Sequence, residues 1–304
     1  MRKKLRKLTV ENVIFTTLNT TFLLVLAAIM VYPMLNQLAV SFNDALDTVR
    51  GGIYLWPRIF SLRNYTVVLN MSSIYAAFVN SVVKMVVTVV TNLVCTSMLA
   101  YALSRNEYIW RKPITLVFVL TMYFNAGMIP NYMLMRNLGL LGTFTVYWLP
   151  QMISTFNVIV IRTYMKSIPE SLIESAKMDG AGEFRVLTQI VLPLCIPTLA
   201  TIALFVAVGS WNAWFDTFLY NSNKPSLTTL PYELQNLLAS AMTAGRNQQG
   251  ASQAAAAATG ASNTTTPASL RAAFTMVTSI PILVVYPFLQ RYFVSGLTIG
   301  GVKE

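Results

Sequence analysis

The chain has 304 residues, 55% of them hydrophobic and 11% charged, with a formal net charge of +11 and a mean hydropathy of +0.57. A soluble domain carries about 25% charged residues, and a core of this length cannot hide so much apolar surface, so the surface must face lipid. Histidine is absent and the cysteines are Cys95 and Cys195 alone, which excludes histidine-based sites, zinc spacings and a disulfide framework; the positive charge lacks the basic and aromatic interleaving of a nucleic-acid surface, so no nucleic-acid partner is expected and the basic residues read as membrane-protein loops.

Six apolar segments reach the roughly 20 residues that a spanning helix needs: 13–40, 76–103, 114–135, 141–161, 191–215 and 274–293. Lipid offers the backbone no hydrogen bonds, so these read as helices; the alternating strand-length segments of a barrel are absent. The expected fold is therefore an all-α membrane protein with six transmembrane helices. The start, MRKKLRK before an apolar run, resembles a secretory signal. No small-residue cleavage site follows between Asn19 and Phe42, so an uncleaved first helix is expected behind a basic cytoplasmic segment, 1–12.

With that segment inside, the inner segments hold fourteen Lys and Arg and the outer ones seven. This bias predicts a multi-pass topology with both termini cytoplasmic. Two outer loops are then long, 41–75 and 216–270. The centre of the second is Ala, Gly, Ser, Thr, Gln and Asn with one charge, a composition that predicts a flexible surface loop. Lys84 stands alone as a charge inside a span, and should face the bundle.

Between the fourth and fifth segments lies ESAKMDGAGEFRVLTQIVLPL, residues 174–194, with Glu174, Lys177, Asp179, Glu183 and Arg185 in its first twelve positions. Ser167 and Glu170 fit a capping box, so a helix is expected from there to about Asp179, with Gly180 as a left-handed stop. A second short helix is expected over 183–190, with Pro193 in the first turn of the fifth span. Lys177 is placed to pair with Glu174, while Glu170 and Glu174, four apart on one face, are arranged for a positive partner outside the chain. An ordinary solvated loop is an equal reading of the charges alone.

Here the chain resembles the permeases of ABC importers. Their signature is Glu-Ala-Ala, three residues, Gly, nine residues, then Ile-x-Leu-Pro. This chain has Glu174-Ser175-Ala176, Gly180 and Ile190-Val191-Leu192-Pro193 in that register, with Ser175 the one departure. The tail Leu289–Lys303 and Gly209-Ser210-Trp211-Asn212 look like the MalG-type carbohydrate-uptake branch, and within it the branch for complex oligosaccharides.

The resemblance implies a type I importer fold, residues 76–293 forming a five-helix core behind the first helix, with a cytoplasmic coupling helix at 167–190 and a cytoplasmic tail at 294–304. It assigns Glu174, Ser175, Ala176, Asp179, Gly180, Ile190, Leu192 and Pro193 to docking on an ATPase. The expected function is that of a transmembrane subunit in the bacterial cell membrane, not an enzyme, which translocates carbohydrate. Its partners would be a second homologous permease in a heterodimer, two ATPase subunits, and a lipid-anchored or periplasmic sugar-binding protein outside. No cofactor is expected on this chain. It has no G-x-x-x-x-G-K-[ST] loop, so ATP and Mg would be bound by the partner ATPase. Sugar-path candidates are Asn80, Asn92, Tyr123, Asn125, Gln151, Asn157, Trp211, Asn212 and Trp214, each of which could equally serve an interhelical hydrogen bond or an interfacial belt. Gln248, Gln249, Gln253 and Asn263 are candidates for a loop that reaches into the binding protein. An ion-coupled secondary transporter is the rival reading; against it stand the lack of histidine and the position of Asp216 at the outer end of a span.

Overall fold

The computed structural model describes residues 10–124, 126–248 and 265–299, with 240–248 and 285–299 as helix only. The described residues are helical apart from turns and one isolated antiparallel bridge, Asn43 to Phe60. The chain divides into two compact units: one of residues up to 70 with 237–277, the other of 71–236 with 278 onward.

The first unit begins with α1, Val10–Ser41, 32 residues long. It is apolar on all sides, and none of its most apolar 18-residue window is buried, the pattern of a lipid-facing span. The residues after it form no loose loop. The buried Asn43 amide organises them: its Oδ1 accepts from the N–H groups of Arg58 (2.8 Å) and Ile59 (3.0 Å), and its Nδ2 donates to Asp47 Oδ2 at 3.0 Å. Asp44 caps α2, Ala45–Val49, by accepting from Leu46 and Asp47 N–H, the ordinary service of Asp at a helix start. Gly51 and Gly52, at φ +71° and +73°, turn the chain back so that Arg58 meets Asp47 at 3.0 Å. Asn64 on α3, Arg63–Leu69, donates to the Ser41 and Asn43 carbonyls.

The second unit is built around α4, Ser72–Ser104. Its buried face carries Ser81, Lys84, Thr88, Asn92 and Thr96, at spacings of three or four, so one stripe of an otherwise apolar helix is polar and faces protein. Three further candidate spans are broken: α5, Arg111–Tyr123, followed by α6, Met128–Asn137; the 3₁₀ turns from Phe144 to Gln151 followed by α7, Thr155–Met165, at 45°; and Glu183–Leu194 followed by Ile196–Asn212, at 81°. With α1, α4 and the helix from Pro267, the described residues hold three continuous candidate spans, or up to six if each broken pair is one span.

Each break has a local cause. Gly127 takes φ +87° before α6, a left-handed backbone that favours glycine. Ser154 is extended at ψ 123°. At Cys195 the bend follows from Pro197, which has no N–H to continue the helix and crowds the preceding turn. The sequence placed Pro193 in the first turn of the fifth span. In the structure Pro193 lies inside the helical run Glu183–Leu194, just after a π-helical stretch, Leu187–Val191, whose wider turn tolerates the missing donor.

The 216–270 segment has helices on both sides of the low-complexity centre. It contains Phe215–Asn221 and Leu230–Gln248 as helices, and the last helix starts at Pro267 and continues through Ile299, into the expected tail. Positions 249–264, with Gln249, Gln253 and Asn263, lie outside the described residues, as does Asn125. Gln248 ends the described helix.

Candidate functional site

Two places carry chemistry. The first is the charged turn. Here α8 runs Glu170–Met178. Ile173 is buried and packs with Val186 and Leu187 against Tyr101, Val158 and Met165, so the turn is seated on the ends of α4 and α7. The expected capping box does not form. Pro169 takes the cap position, the Ser167 hydroxyl donates to the Tyr164 carbonyl at 2.7 Å, and the Glu170 carboxylate accepts from Asn106 Nδ2 at 3.1 Å. Proline fixes an extended residue there and starts the helix after itself.

The helix stops as the sequence indicated. Gly180 has φ +82°, its N–H donates to the Lys177 carbonyl at 3.0 Å, and the Ala181 N–H reaches back to Ala176 at 2.9 Å. These are the two bonds of a Schellman stop, and Ala176 and Ala181 both pack against the core cluster beneath it. A Cβ added to Gly180 would meet nothing within 4 Å, so what demands glycine is the backbone angle rather than space.

Lys177 does not pair with Glu174. Its ammonium lies 2.7 Å from Glu183 and 2.9 Å from Glu107, and Glu183 also accepts from the Tyr101 hydroxyl. Hydrogen bonds to Glu183 and then Glu107 raise the Lys177 pKa above its ordinary value. The lysine thus clasps α8, the Asn106–Glu107 loop and the following helix into one body. Glu174, Ser175, Asp179 and Pro193 are left exposed, Ile190 and Leu192 half-buried. Between the acids stand Met178, 88% exposed, and Phe184, 71% exposed. The sequence reading passed over both; two large apolar side chains flanking a glycine in a polar run were the signal.

The second place is a cleft of about 430 Å³ lined by Asn92, Gln151, Ser154, Asn157, Phe205 and Ser210, among others. Asn157 Nδ2 donates to Asn92 Oδ1 at 3.1 Å, and Asn92 Nδ2 to the Gln151 carbonyl at 2.7 Å. The buried Ser210 hydroxyl has no hydrogen-bond partner among the described residues. Three of the nine sugar-path candidates therefore converge. Of the other six, Asn125 lies outside the described residues and the remaining five do not line this cleft. Asn80 donates to the Ser226 and Thr228 carbonyls (2.8 and 3.0 Å), and Trp211 Nε1 to the Thr278 carbonyl at 3.1 Å with its ring edge on Phe78. These are interhelical ties. Tyr123 is 80% exposed at the end of α5, Asn212 is exposed at a helix end, and Trp214 packs on Phe215 and Phe218.

Lys84, which on sequence alone could pair with a partner chain or snorkel, meets Asp216 within this chain. Its Nζ lies 3.3 Å from Asp216 Oδ2, donates to the Ala213 carbonyl at 2.8 Å, and sits 4.8 Å from the centre of the Tyr147 ring. Asp216 is thus not an isolated acid at the rim.

Comparison with known proteins follows this geometry. Residues 69–299 match the model of the family described as binding-protein-dependent transport system inner membrane component. The chain is 34% identical to the polygalacturonan/rhamnogalacturonan transport system permease protein YtcP of Bacillus subtilis, over 96% of this chain and 99% of the relative. It is 31% identical to the arabinooligosaccharides transport system permease protein AraQ of Halalkalibacterium halodurans, over 91% and 93%. A crystal structure of a bacterial ABC transporter involved in the import of the acidic polysaccharide alginate aligns with a TM-score of 0.81 and 28% identity, over 96% of this chain and 100% of that one. The chain belongs to the family of binding-protein-dependent transport system inner membrane components, the membrane-embedded permeases of ABC importers.

Proposed function

We propose that this chain is one of two unlike permease subunits of an ATP-driven importer that carries oligosaccharide, delivered by an extracellular binding protein, across a bacterial cell membrane with both its termini in the cytoplasm. The turn from Glu170 to Leu194 docks on one of two ATPase partners, which hold ATP and Mg. The exposed set of Glu174, Asp179 and Gly180, together with Met178 and Phe184, forms the contact, and the Lys177 clasp makes the turn move as one piece with α4 and α7. The Asn92–Gln151–Asn157 cleft supplies amide partners for sugar hydroxyls. Segment 248–263 reaches toward the binding protein.

The observation that carries the docking reading is the Gly180 stop. It ends a short charged helix with its polar face exposed, while Ile173 roots that helix in the core. Rocking of packed helices driven by closure of the ATPases then alternates access to the cleft. The test is co-purification of the ATPase with this chain and its partner permease. Wild type retains the ATPase; Glu174→Lys and Gly180→Trp lose it while the permease still accumulates. Equal retention by all three versions sinks the docking assignment.

A further inference from the structure

Lys84 is the only charged residue in α4, and its side chain is 2% exposed. Its three contacts come from elsewhere in the unit: Ala213 and Asp216 at the break after the helix ending at Asn212, and the Tyr147 ring in the 3₁₀ turn. Asp216 Oδ2 accepts a second bond, from Gln151 Nε2 at 3.2 Å. The backbone carbonyl of Gln151 in turn holds Asn92, and Asn92 holds Asn157. The buried ammonium is therefore linked through Asp216 to the Gln151 side chain, and through the backbone of that same residue to Asn92 and Asn157.

Stability is a weak account of such a pair. The buried Lys84 ammonium, paired with an Asp216 side chain that is 27% exposed, carries a desolvation cost that a well-packed neutral residue of similar volume avoids, whereas charge inside a span marks function by default. What the pair adds over neutral partners is a stronger hold on Gln151, because a bond to an ionised acceptor is about twice as strong as a neutral one. Lys84 has Asp216 to balance it, so it offers no spare charge to a passing substrate.

We propose that Lys84 and Asp216 are positioning residues of the cleft, fixing Gln151 and through it Asn92 and Asn157 at the spacing that meets sugar hydroxyls. This rests on the reading of the cleft as substrate surface. A sugar held loosely is lost while the ATPases still cycle, so the quantity that depends on the pair is sugar imported per ATP hydrolysed.

The complete transporter, with its ATPases and binding protein, is reconstituted in vesicles and given a mixture of galacto-, arabino- and galacturono-oligosaccharides. Import and ATP hydrolysis are measured together. Lys84→Met with Asp216→Asn removes both charges together, along with the Lys84 bond to the Ala213 carbonyl. Asp216→Glu keeps the charge pair but pushes Gln151 by a methylene. In both variants sugar per ATP should fall roughly tenfold or more, the scale on which small misplacements act, and Lys84→Arg should recover most of the wild-type ratio. An unchanged ratio in Asp216→Glu, or in the double variant at whatever level it accumulates, overturns the proposal and leaves the pair a packing element. Asn157→Leu is the separate control: if it leaves import intact, the cleft reading itself falls.

Discussion

Gly180 and Gly182 differ by one dihedral angle, and that angle decides their roles. Gly180 is at φ +82°, Gly182 at φ −73°, and neither has an atom within 4 Å of an added Cβ. Gly180→Ala therefore meets only the left-handed backbone penalty, about 1–2 kcal/mol, and should weaken ATPase retention severalfold. Gly182→Ala should leave it unchanged; pull-down against a titrated ATPase separates the two. Asn43 makes the opposite point. It is fully buried, and Asn43→Ala strips acceptors from the Arg58 and Ile59 N–H groups and a donor from Asp47. Each unpaired buried group costs about 1–3 kcal/mol, so a clear drop in melting temperature in detergent is expected. Little at this scale was legible beforehand beyond the glycine stop. Asn43 and Asn80 are both asparagines beside apolar runs, and only the tertiary contacts say that each ties backbone rather than touching a ligand.

Among the elements, the helix from Glu183 to Leu194 shows how a proline is accommodated. Pro193 lacks the N–H that would bond to Gln189, and the π-helical stretch before it takes up the slack. Pro193→Ala restores that donor, allows a regular α-helix, and rotates everything beyond it, including the 81° bend. The expected outcome is an ATPase that still binds but whose stimulation by loaded binding protein falls several-fold; normal stimulation would show that the π-helical stretch has no part in transmission. The Lys177 clasp is the second element-scale test. Its raised pKa means that its contribution is complete below the ordinary lysine value of about 10.4 and is lost only as pH rises through the higher folded value. ATPase retention should then be flat between roughly pH 6 and 8, where lysine stays charged. Lys177→Met should lower it modestly, by about 1 kcal/mol or less, since these ion pairs are partly exposed. The six apolar segments were legible because burial in lipid requires length and apolarity. Their breaks were not, because hydropathy reports what a residue avoids and carries no direction.

For the whole molecule, the bias of Lys and Arg toward one set of loops remains the argument for orientation. Reporter fusions at either terminus should be active only if that end is cytoplasmic, and activity of a periplasm-dependent reporter at the carboxyl end would reverse the topology. Lipid also explains the large exposed apolar surface of α1, which a soluble fold would hide.

The sequence by itself determined the class, the six apolar segments, the charged turn with its glycine stop, and the family, because each is a local pattern: length against bilayer thickness, charge against charge, glycine at a forced angle. Tertiary structure alone decided the partners. It gave Lys84 to Asp216, Lys177 to Glu183 and Glu107, and brought Asn92, Gln151 and Asn157 to one cleft while sending Asn80 and Trp211 elsewhere. Hydrogen bonds and ion pairs are short and directional, so they are settled by how helices far apart in the chain turn toward one another, and a one-dimensional pattern does not record that rotation.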